Sequence, residues 1–117
     1  LRAAAELFIR IYSEPGLIWE RLPFIRKHTK LPILLKGITH PEDARLAVEN
    51  EIDGIVVSNH GGRQVDGAIG AFDILGEAVD AVRGLIPVLF DSGVRGGADV
   101  FKALAMGADA VLFGRPY

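Results

Sequence analysis

A histidine and an arginine stand immediately after an apolar run near the middle of the chain. The run at 55–57 ends in Ser58, Asn59 and His60, two glycines turn the chain, and Arg63 follows. Such a run predicts a buried strand of a parallel sheet, and catalytic residues gather at the carboxyl ends of these strands. We therefore interpret His60 as an acid or base and Arg63 as a binder of carboxylate. The alternatives are a histidine with a backbone partner and a solvated arginine.

Cationic and glycine-rich segments stand at three other predicted strand ends. Lys36 follows the apolar run 33–35, where it is either a solvent-facing lysine or a cation that faces a ligand. The segment 91–97 joins a strand end to a helix start, and Gly114 and Arg115 end the last strand. Glycines expose backbone N–H groups and a helix start favours negative charge, so these two loops indicate a phosphate site. The alternative is a pair of tight turns with a solvated arginine.

Hydrophobic periodicity predicts a helical lead-in followed by alternating strands and helices. The lead-in has helices over about 1–12 and 17–27, and we expect the second to restart near Pro23. We place Ile18, Leu22 and Ile25 on its inward side. The predicted strands are 31–37, 54–59, 87–91 and 110–113, and the predicted helices begin near Thr39 and span about 72–83 and 98–106.

Like modules build this second part of the chain. Leu31-Pro-Ile-Leu matches Ile86-Pro-Val-Leu, and Asp53-Gly-Ile-Val-Val matches Asp109-Ala-Val-Leu-Phe, two strand–helix units apart. Four parallel strands form half of a barrel that closes with eight. We therefore predict two open sheet edges, at 31–37 and 110–113, which can recruit partners.

Composition limits the function further. The chain has 117 residues and a net charge of −2, so it shows no sign of a nucleic-acid or membrane partner. It has no cysteine, which excludes disulfides and thiolate metal sites, and its three dispersed histidines predict no metal centre. The first residue is Leu1 and not methionine, so we expect a longer parent protein.

Five segments resemble the FMN-dependent 2-hydroxy acid dehydrogenases and oxidases. Within a resemblance that covers about 31–116, the most specific segment is Ser58-Asn-His-Gly-Gly-Arg-Gln. Upstream, Ile11–Glu20 is similar to the lactate 2-monooxygenase branch of the family. The five segments are 34–37, 58–67, 90–95, 99–105 and 114–116.

The resemblance implies a role for each matching residue. Lys36 would face the flavin N1–C2=O region and stabilise the reduced flavin, and Ser58 would contact the ring system or the ribityl chain. His60 would be the catalytic base, and Arg63 would bind the substrate carboxylate beside it. The ribityl and phosphate groups would be held by Asp91, Ser92, Gly93, Arg95, Gly114 and Arg115.

The resemblance also implies an α/β fold, the C-terminal half of an FMN-binding (β/α)8 barrel. Residues 1–30 would be the helical lead-in and 31–117 four strand–helix units, the last truncated. The implied reaction is oxidation of a small L-2-hydroxy acid, lactate in the monooxygenase branch, with O2 as electron acceptor. We expect a cytoplasmic homo-oligomer, or a chain that needs the first barrel half and is inactive without it.

Two other functions remain open at this point. One is a non-catalytic half barrel that binds phosphate or flavin weakly and self-associates through its edges. The other is a phosphate-binding isomerase or synthase without flavin. The histidine–arginine pair within 58–67 argues against the second, because a phosphate barrel has no need of it.

Overall fold

The computed structural model describes residues 2–12 and 17–114, and for residues 9–12 it describes the backbone alone. The chain divides into two compact units, Leu1–Lys30 and Leu31–Tyr117. Each unit is considered by itself below.

The first unit is helical. Helix α1 spans Arg2–Tyr12, a short 3-10 helix spans Trp19–Arg21, and helix α2 spans Leu22–His28. Pro23 lies in the first turn of α2, where its missing N–H breaks no helical hydrogen bond. The predicted restart of the helix at this proline is therefore confirmed. Leu22 is buried as predicted, whereas the prediction for Ile18 is wrong because its side chain is 55% exposed.

The second unit is a four-stranded sheet in which every neighbouring pair of strands is parallel. The strand order is β1-β2-β3-β4, and one helix follows each of the first three strands, as predicted. The strands are β1 (Leu34–Ile38), β2 (Gly54–Val57), β3 (Val88–Phe90) and β4 (Ala110–Val111). The helices are α3 (Pro41–Glu49), α4 (Ala71–Val82) and α5 (Gly97–Ala105).

The core lies around β2, one of the two strands with neighbours on both sides. All four residues of β2 are buried, because helices cover a parallel sheet whose central strand has no solvent face. Helix α4 contributes Leu75 and Ala78, and α3 contributes Ala44 and Ala47, all of them fully buried. Strands β1 and β4 lie at the two edges, as the sequence predicts, and their residues are mostly half-buried or exposed.

The internal repeat has a structural counterpart at the start of two strands. The Asp53 carboxylate accepts a hydrogen bond from Ile33 N at 2.7 Å, and Asp53 N donates to Ile33 O at 3.0 Å. At the matching position the Asp109 carboxylate accepts from Val88 N at 2.8 Å, and Asp109 N donates to Val88 O at 2.8 Å. Each aspartate thus makes one side-chain and one backbone hydrogen bond to the same residue of the neighbouring segment. This shared contact accounts for the aspartate in both copies of the repeat.

We expect Leu75→Ala to lower the free energy of unfolding by about 2–5 kcal/mol, because it leaves a cavity between α4 and the sheet. The matched control is Leu85→Ala, whose side chain is 68% exposed. That control should change stability by no more than about 0.5 kcal/mol. Urea unfolding followed by circular dichroism measures both variants. Equal losses would contradict the placement of the core beside β2.

Candidate functional site

A concave surface lies at the carboxyl ends of the strands, and the space that it borders has a volume of ≈ 1200 Å³. Residues from all four strand ends line it, because parallel strands deliver their carboxyl ends to one edge of the sheet. Asn59, Gly70 and Phe72 also line it, although the sequence analysis assigns them no role. The predicted site residues on this surface are Lys36, His60, Arg63, Asp91, Ser92, Gly93, Arg95 and Gly114.

Two predicted residues lie elsewhere. Ser58 is fully buried and does not line the surface, and its hydroxyl lies beneath the lining residues. Arg115 falls outside the described residues. The structure therefore brings eight of the ten predicted residues onto one surface and leaves their roles as predictions.

A hydrogen-bonded network joins the ends of β1, β2 and β3. Lys36 Nζ donates to Ser58 Oγ at 2.6 Å and forms an ion pair with Asp91. Ser92 Oγ donates to Asp91 Oδ1 at 2.9 Å and lies 3.3 Å from Ser58 Oγ. The ammonium group is therefore held in place on the lining, with its side chain 43% exposed.

Burial and hydrogen bonding act in opposite directions on Asp91. Partial burial raises the pKa of this carboxyl group, whereas hydrogen bonds from Lys36 and Ser92 lower it by a larger amount. The net pKa of Asp91 therefore lies below its usual value. The carboxylate form is therefore favoured, and it keeps the ammonium of Lys36 paired at neutral pH.

His60 adopts a left-handed backbone conformation, with φ of 57°. Non-glycine residues with positive φ are uncommon and cluster at functional sites. Two neighbouring contacts hold this conformation: His60 N donates to the buried Ser58 Oγ at 3.2 Å, and Gly61 N donates to Ser92 Oγ at 3.1 Å. The imidazole is thus presented on the concave surface by a backbone that other strand ends restrain.

Gly37 makes room for that imidazole. The register of β1 against β2 shifts between Lys36 and Ile38, and Gly37 between them has φ of 102°. A Cβ atom at Gly37 would lie 2.9 Å from His60 Nε2, closer than side chains approach in proteins. Glycine is therefore required twice here, once for the backbone and once for the ring.

Asn59 closes the loop that carries His60 and Arg63. Its Oδ1 accepts from Gly61 N at 3.1 Å, and its Nδ2 donates to Ile69 O at 3.1 Å. The sequence analysis missed this role, although an asparagine two residues before a glycine is a known signal for a side-chain-to-backbone turn. Arg63 itself is exposed on this loop and lines the concave surface.

The glycine-rich loop after β3 and Gly114 after β4 have open space beside the backbone. A Cβ atom built at Gly93, Gly96 or Gly114 would meet nothing within 4 Å, so these positions leave room for a bound group. Asp99 accepts hydrogen bonds from Arg95 N at 2.9 Å and from Gly96 N at 3.2 Å. These backbone hydrogen bonds lower the pKa of Asp99. Asp99 is the third residue of α5, and Gly96 directly precedes the helix. This is the spacing of a capping box, and it is the sequence signal that could have predicted the contact between Asp99 and Gly96 N.

The other two histidines have partners of their own within their units. His40 caps α3 by accepting a hydrogen bond from Glu42 N at 3.2 Å. His28 is exposed and contacts Phe24 O at 2.8 Å. Within 2–12 and 17–114, no grouping of three or more histidine or acidic side chains could hold a metal ion. None of the helices in this described part has the length and hydropathy of a membrane span.

Comparison with known proteins decides the family. The sequence profile of the FMN-dependent dehydrogenases matches residues 2–117. The chain belongs to the FMN-dependent dehydrogenase family. It is 60% identical over 103 residues to an L-lactate oxidase of Lysinibacillus sphaericus, covering 88% of this chain and 27% of that protein. It is 63% identical over 113 residues to an FMN-dependent alpha-hydroxy acid dehydrogenase of Penicillium citrinum, covering 97% of this chain and 28% of that protein.

Solved structures agree with this assignment. The crystal structure of a mandelate oxidase superposes with a TM-score of 0.82 at 57% identity, covering 86% of this chain and 29% of that one. The predicted fold class, parallel β/α units of a (β/α)8 barrel, is confirmed. The chain spans less than a third of the length of the curated relatives named here.

The residues on the concave surface fit the cofactor that the family implies. A flavin mononucleotide needs a large cleft, a cation and an open backbone cradle for its phosphate. The cleft of ≈ 1200 Å³, the ammonium of Lys36 and the open positions at Gly93 and Gly114 meet these needs. Arg95 lines the same part of the surface and adds a second positive charge.

We expect Gly37→Ala to displace the His60 imidazole. The matched control is Gly84→Ala, which also has positive φ, at 71°, but has open space around the added Cβ. Both variants should lose about 1–2 kcal/mol of stability through the backbone conformation. Gly37→Ala alone should also move the ring proton resonances of His60 in NMR spectra. Unchanged resonances in Gly37→Ala would contradict the close approach.

The lowered pKa of Asp91 predicts how stability depends on acid. A carboxyl group whose pKa is lower in the folded state stabilises the fold at pH values above its unfolded-state pKa of about 3.9. This contribution is lost as the pH falls through the folded-state pKa. Asp91→Asn should therefore lower stability at neutral pH by about 1–2 kcal/mol and flatten the loss below about pH 4. Lys36→Met should raise the folded-state pKa of Asp91 towards its unfolded-state value and so make this loss smaller.

Urea unfolding as a function of pH measures these stability changes, and a carbon-13 titration of the Asp91 carboxyl group follows its pKa directly. Part of the acid dependence should remain in Asp91→Asn, because hydrogen bonds also lower the pKa of Glu42 and Asp99. An identical acid profile in wild type and Asp91→Asn would show that the ion pair does not depend on pH in this way.

Proposed function

We propose that this chain supplies the catalytic base, the carboxylate-binding arginine and part of the FMN site of a 2-hydroxy acid oxidase. The observation that carries the proposal is that His60, Arg63 and Lys36 share one concave surface with the open glycine loops. Membership of the FMN-dependent dehydrogenase family supports the class of reaction. Because the chain is shorter than its relatives, this activity is proposed for the whole protein to which its residues contribute.

The cofactor would lie between Lys36 and the two glycine-rich loops. Asp91, Ser92, Gly93 and Arg95 are proposed to hold its ribityl and phosphate groups, and Gly114 with Arg115 to complete the phosphate site. The buried Ser58 would act on the ring system or ribityl chain from below the lining. FMN, when bound, supplies the acceptance of two electrons from the carbon that bears the substrate hydroxyl.

The protein residues would bind the substrate and move its proton. The Arg63 guanidinium pairs with the substrate carboxylate, and an exposed position on the loop lets it reach a ligand in the cleft. The His60 imidazole accepts a proton from the hydroxyl-bearing centre of the substrate as that centre is oxidised. The Lys36 ammonium lies on the same surface and favours negative charge on the neighbouring cofactor.

Lactate is the proposed substrate, with O2 as the electron acceptor. An L-lactate oxidase is among the similar proteins, and Ile11–Glu20 resembles a lactate-oxidising branch of the family. If the keto acid formed from lactate is released, the products would be that keto acid and peroxide. If the two stay together, lactate would leave as acetate and CO2. A cytoplasmic location and a homo-oligomeric state stay predictions.

A chimera tests the proposal. Residues 31–117 would replace the corresponding segment of the L-lactate oxidase of Lysinibacillus sphaericus, which supplies the rest of a complete chain. We expect L-lactate to bleach the flavin of this chimera under anaerobic conditions. His60→Gln should lower kcat by about 100- to 10,000-fold, and Arg63→Lys should raise KM because it loses the two-pronged contact. A chimera that binds FMN but leaves it unbleached would refute the proposed activity.

FMN binding by the chain alone has its own test. The unmodified chain should bind FMN weakly, as measured by quenching of flavin fluorescence, and should not bleach it rapidly with L-lactate. Arg95→Gln should weaken binding about tenfold, which is the effect of losing one charged hydrogen bond. Arg83→Gln is the control, because Arg83 ends α4 and does not line the concave surface. Equal affinities for the two variants would remove Arg95 from the site.

A second candidate function rests on the two open edges of the sheet. Leu34 on β1 and Leu112 and Phe113 after β4 are all more than 40% exposed. Apolar residues on unpaired strand edges favour pairing with another chain. The alternative is a non-catalytic half barrel that self-associates and binds flavin weakly. Sedimentation of the chain at several concentrations would support this alternative by showing dimers. Those dimers should neither bind FMN tightly nor oxidise lactate.

A further inference from the structure

Ser92 is held in a backbone conformation that disfavours serine. Its φ is 83°, in the region that glycine adopts readily and residues with a Cβ atom rarely adopt. Gly93, the next residue, also has positive φ, at 77°. A glycine at position 92 would avoid this strain, so the serine side chain must offer something that offsets it.

The Ser92 hydroxyl makes three contacts, and two of them cross from the end of β3 to the end of β2. It donates to Asp91 Oδ1 at 2.9 Å and accepts from Gly61 N at 3.1 Å, while Ser58 Oγ lies 3.3 Å away. The contact with Gly61 connects the loop after β3 to the loop after β2, which carries the imidazole.

The hydroxyl groups of this network can all be satisfied at once. Ser58 Oγ accepts from Lys36 Nζ and from His60 N, so its own hydrogen is available for Ser92. Ser92 Oγ then accepts from Ser58 and Gly61 and donates to Asp91. Among the described residues, no buried side-chain nitrogen or oxygen lacks a partner. The network therefore fixes two successive N–H groups, those of residues 60 and 61, with two hydroxyls from different strands.

We propose that Ser92 is a positioning residue, whose hydroxyl fixes the Gly61 peptide and through it the His60 imidazole over Gly37. Its importance for the reaction rests on the proposed function, but the positioning itself does not. His60 is in the left-handed region and its ring lies against Gly37, so a small rotation of the 60–61 peptide would carry the ring away from that contact. The hydrogen bond from Gly61 N to the Ser92 hydroxyl opposes this rotation.

Two variants separate the hydroxyl from the backbone strain. Ser92→Ala removes the hydroxyl and keeps the Cβ atom at positive φ, whereas Ser92→Gly removes both. We expect the glycine variant to be the more stable of the two in urea. Gly61 N also donates to Asn59 Oδ1, which both variants keep. In both variants, hydrogen exchange of the Gly61 amide should still accelerate by about three- to tenfold, because one of its two acceptors is lost. The NOE between the His60 ring and the Gly37 Hα protons should weaken in both.

A merely structural role predicts a different pattern. Exchange at Gly61 would then follow global stability, and the more stable glycine variant would exchange more slowly than the alanine variant. That ordering, or an unchanged NOE in both variants, would overturn the proposal. In the chimera described above, both variants should lower kcat measured at saturating FMN, and an unchanged kcat would also overturn it. An inactive parent chimera would instead count against the proposed function, and the NMR measurements on the chain would still decide the role of Ser92.

Discussion

The ion pair between Lys36 and Asp91 is the interaction on which the arrangement of the site depends. It joins the end of the edge strand β1 to the end of β3, across the buried strand β2 that lies between them. Ser58, at the end of β2, contacts the same ammonium group from below. A charge placed among three strand ends would be unfavourable without partners, and here two side chains stabilise it. The carboxylate, in turn, remains ionised because the lysine is close.

Steric space is the second constraint, and it acts through glycine. The His60 ring occupies the volume that a side chain at residue 37 would need. The bulge in β1 at that residue changes the register against β2 just beyond Lys36. Gly37 therefore allows the bulge in the strand that carries Lys36 and also leaves room for the ring of His60. The two groups proposed for catalysis are coupled by this shared space as well as by Ser58.

The family comparison and the geometry support different parts of the functional proposal. Relatives named for lactate, mandelate and other hydroxy acids indicate the class of chemistry, because they share more than half of the residues aligned with this chain. The structure of the chain itself indicates where that chemistry would take place, since the cation, the imidazole and the glycine loops line one surface.

The sequence alone determined the order of elements, the parallel sheet and the strand ends at which functional side chains stand. It did so because apolar runs and glycine turns are local signals, and the spacing of Leu31, Gly54, Pro87 and Ala110 repeats them. The tertiary structure alone decided which atoms meet. The contacts of Ser92 with Gly61 and of Gly37 with His60 depend on backbone angles and on strand register. A sequence does not display these quantities, because residues far apart in the chain set them jointly when the strands pack side by side.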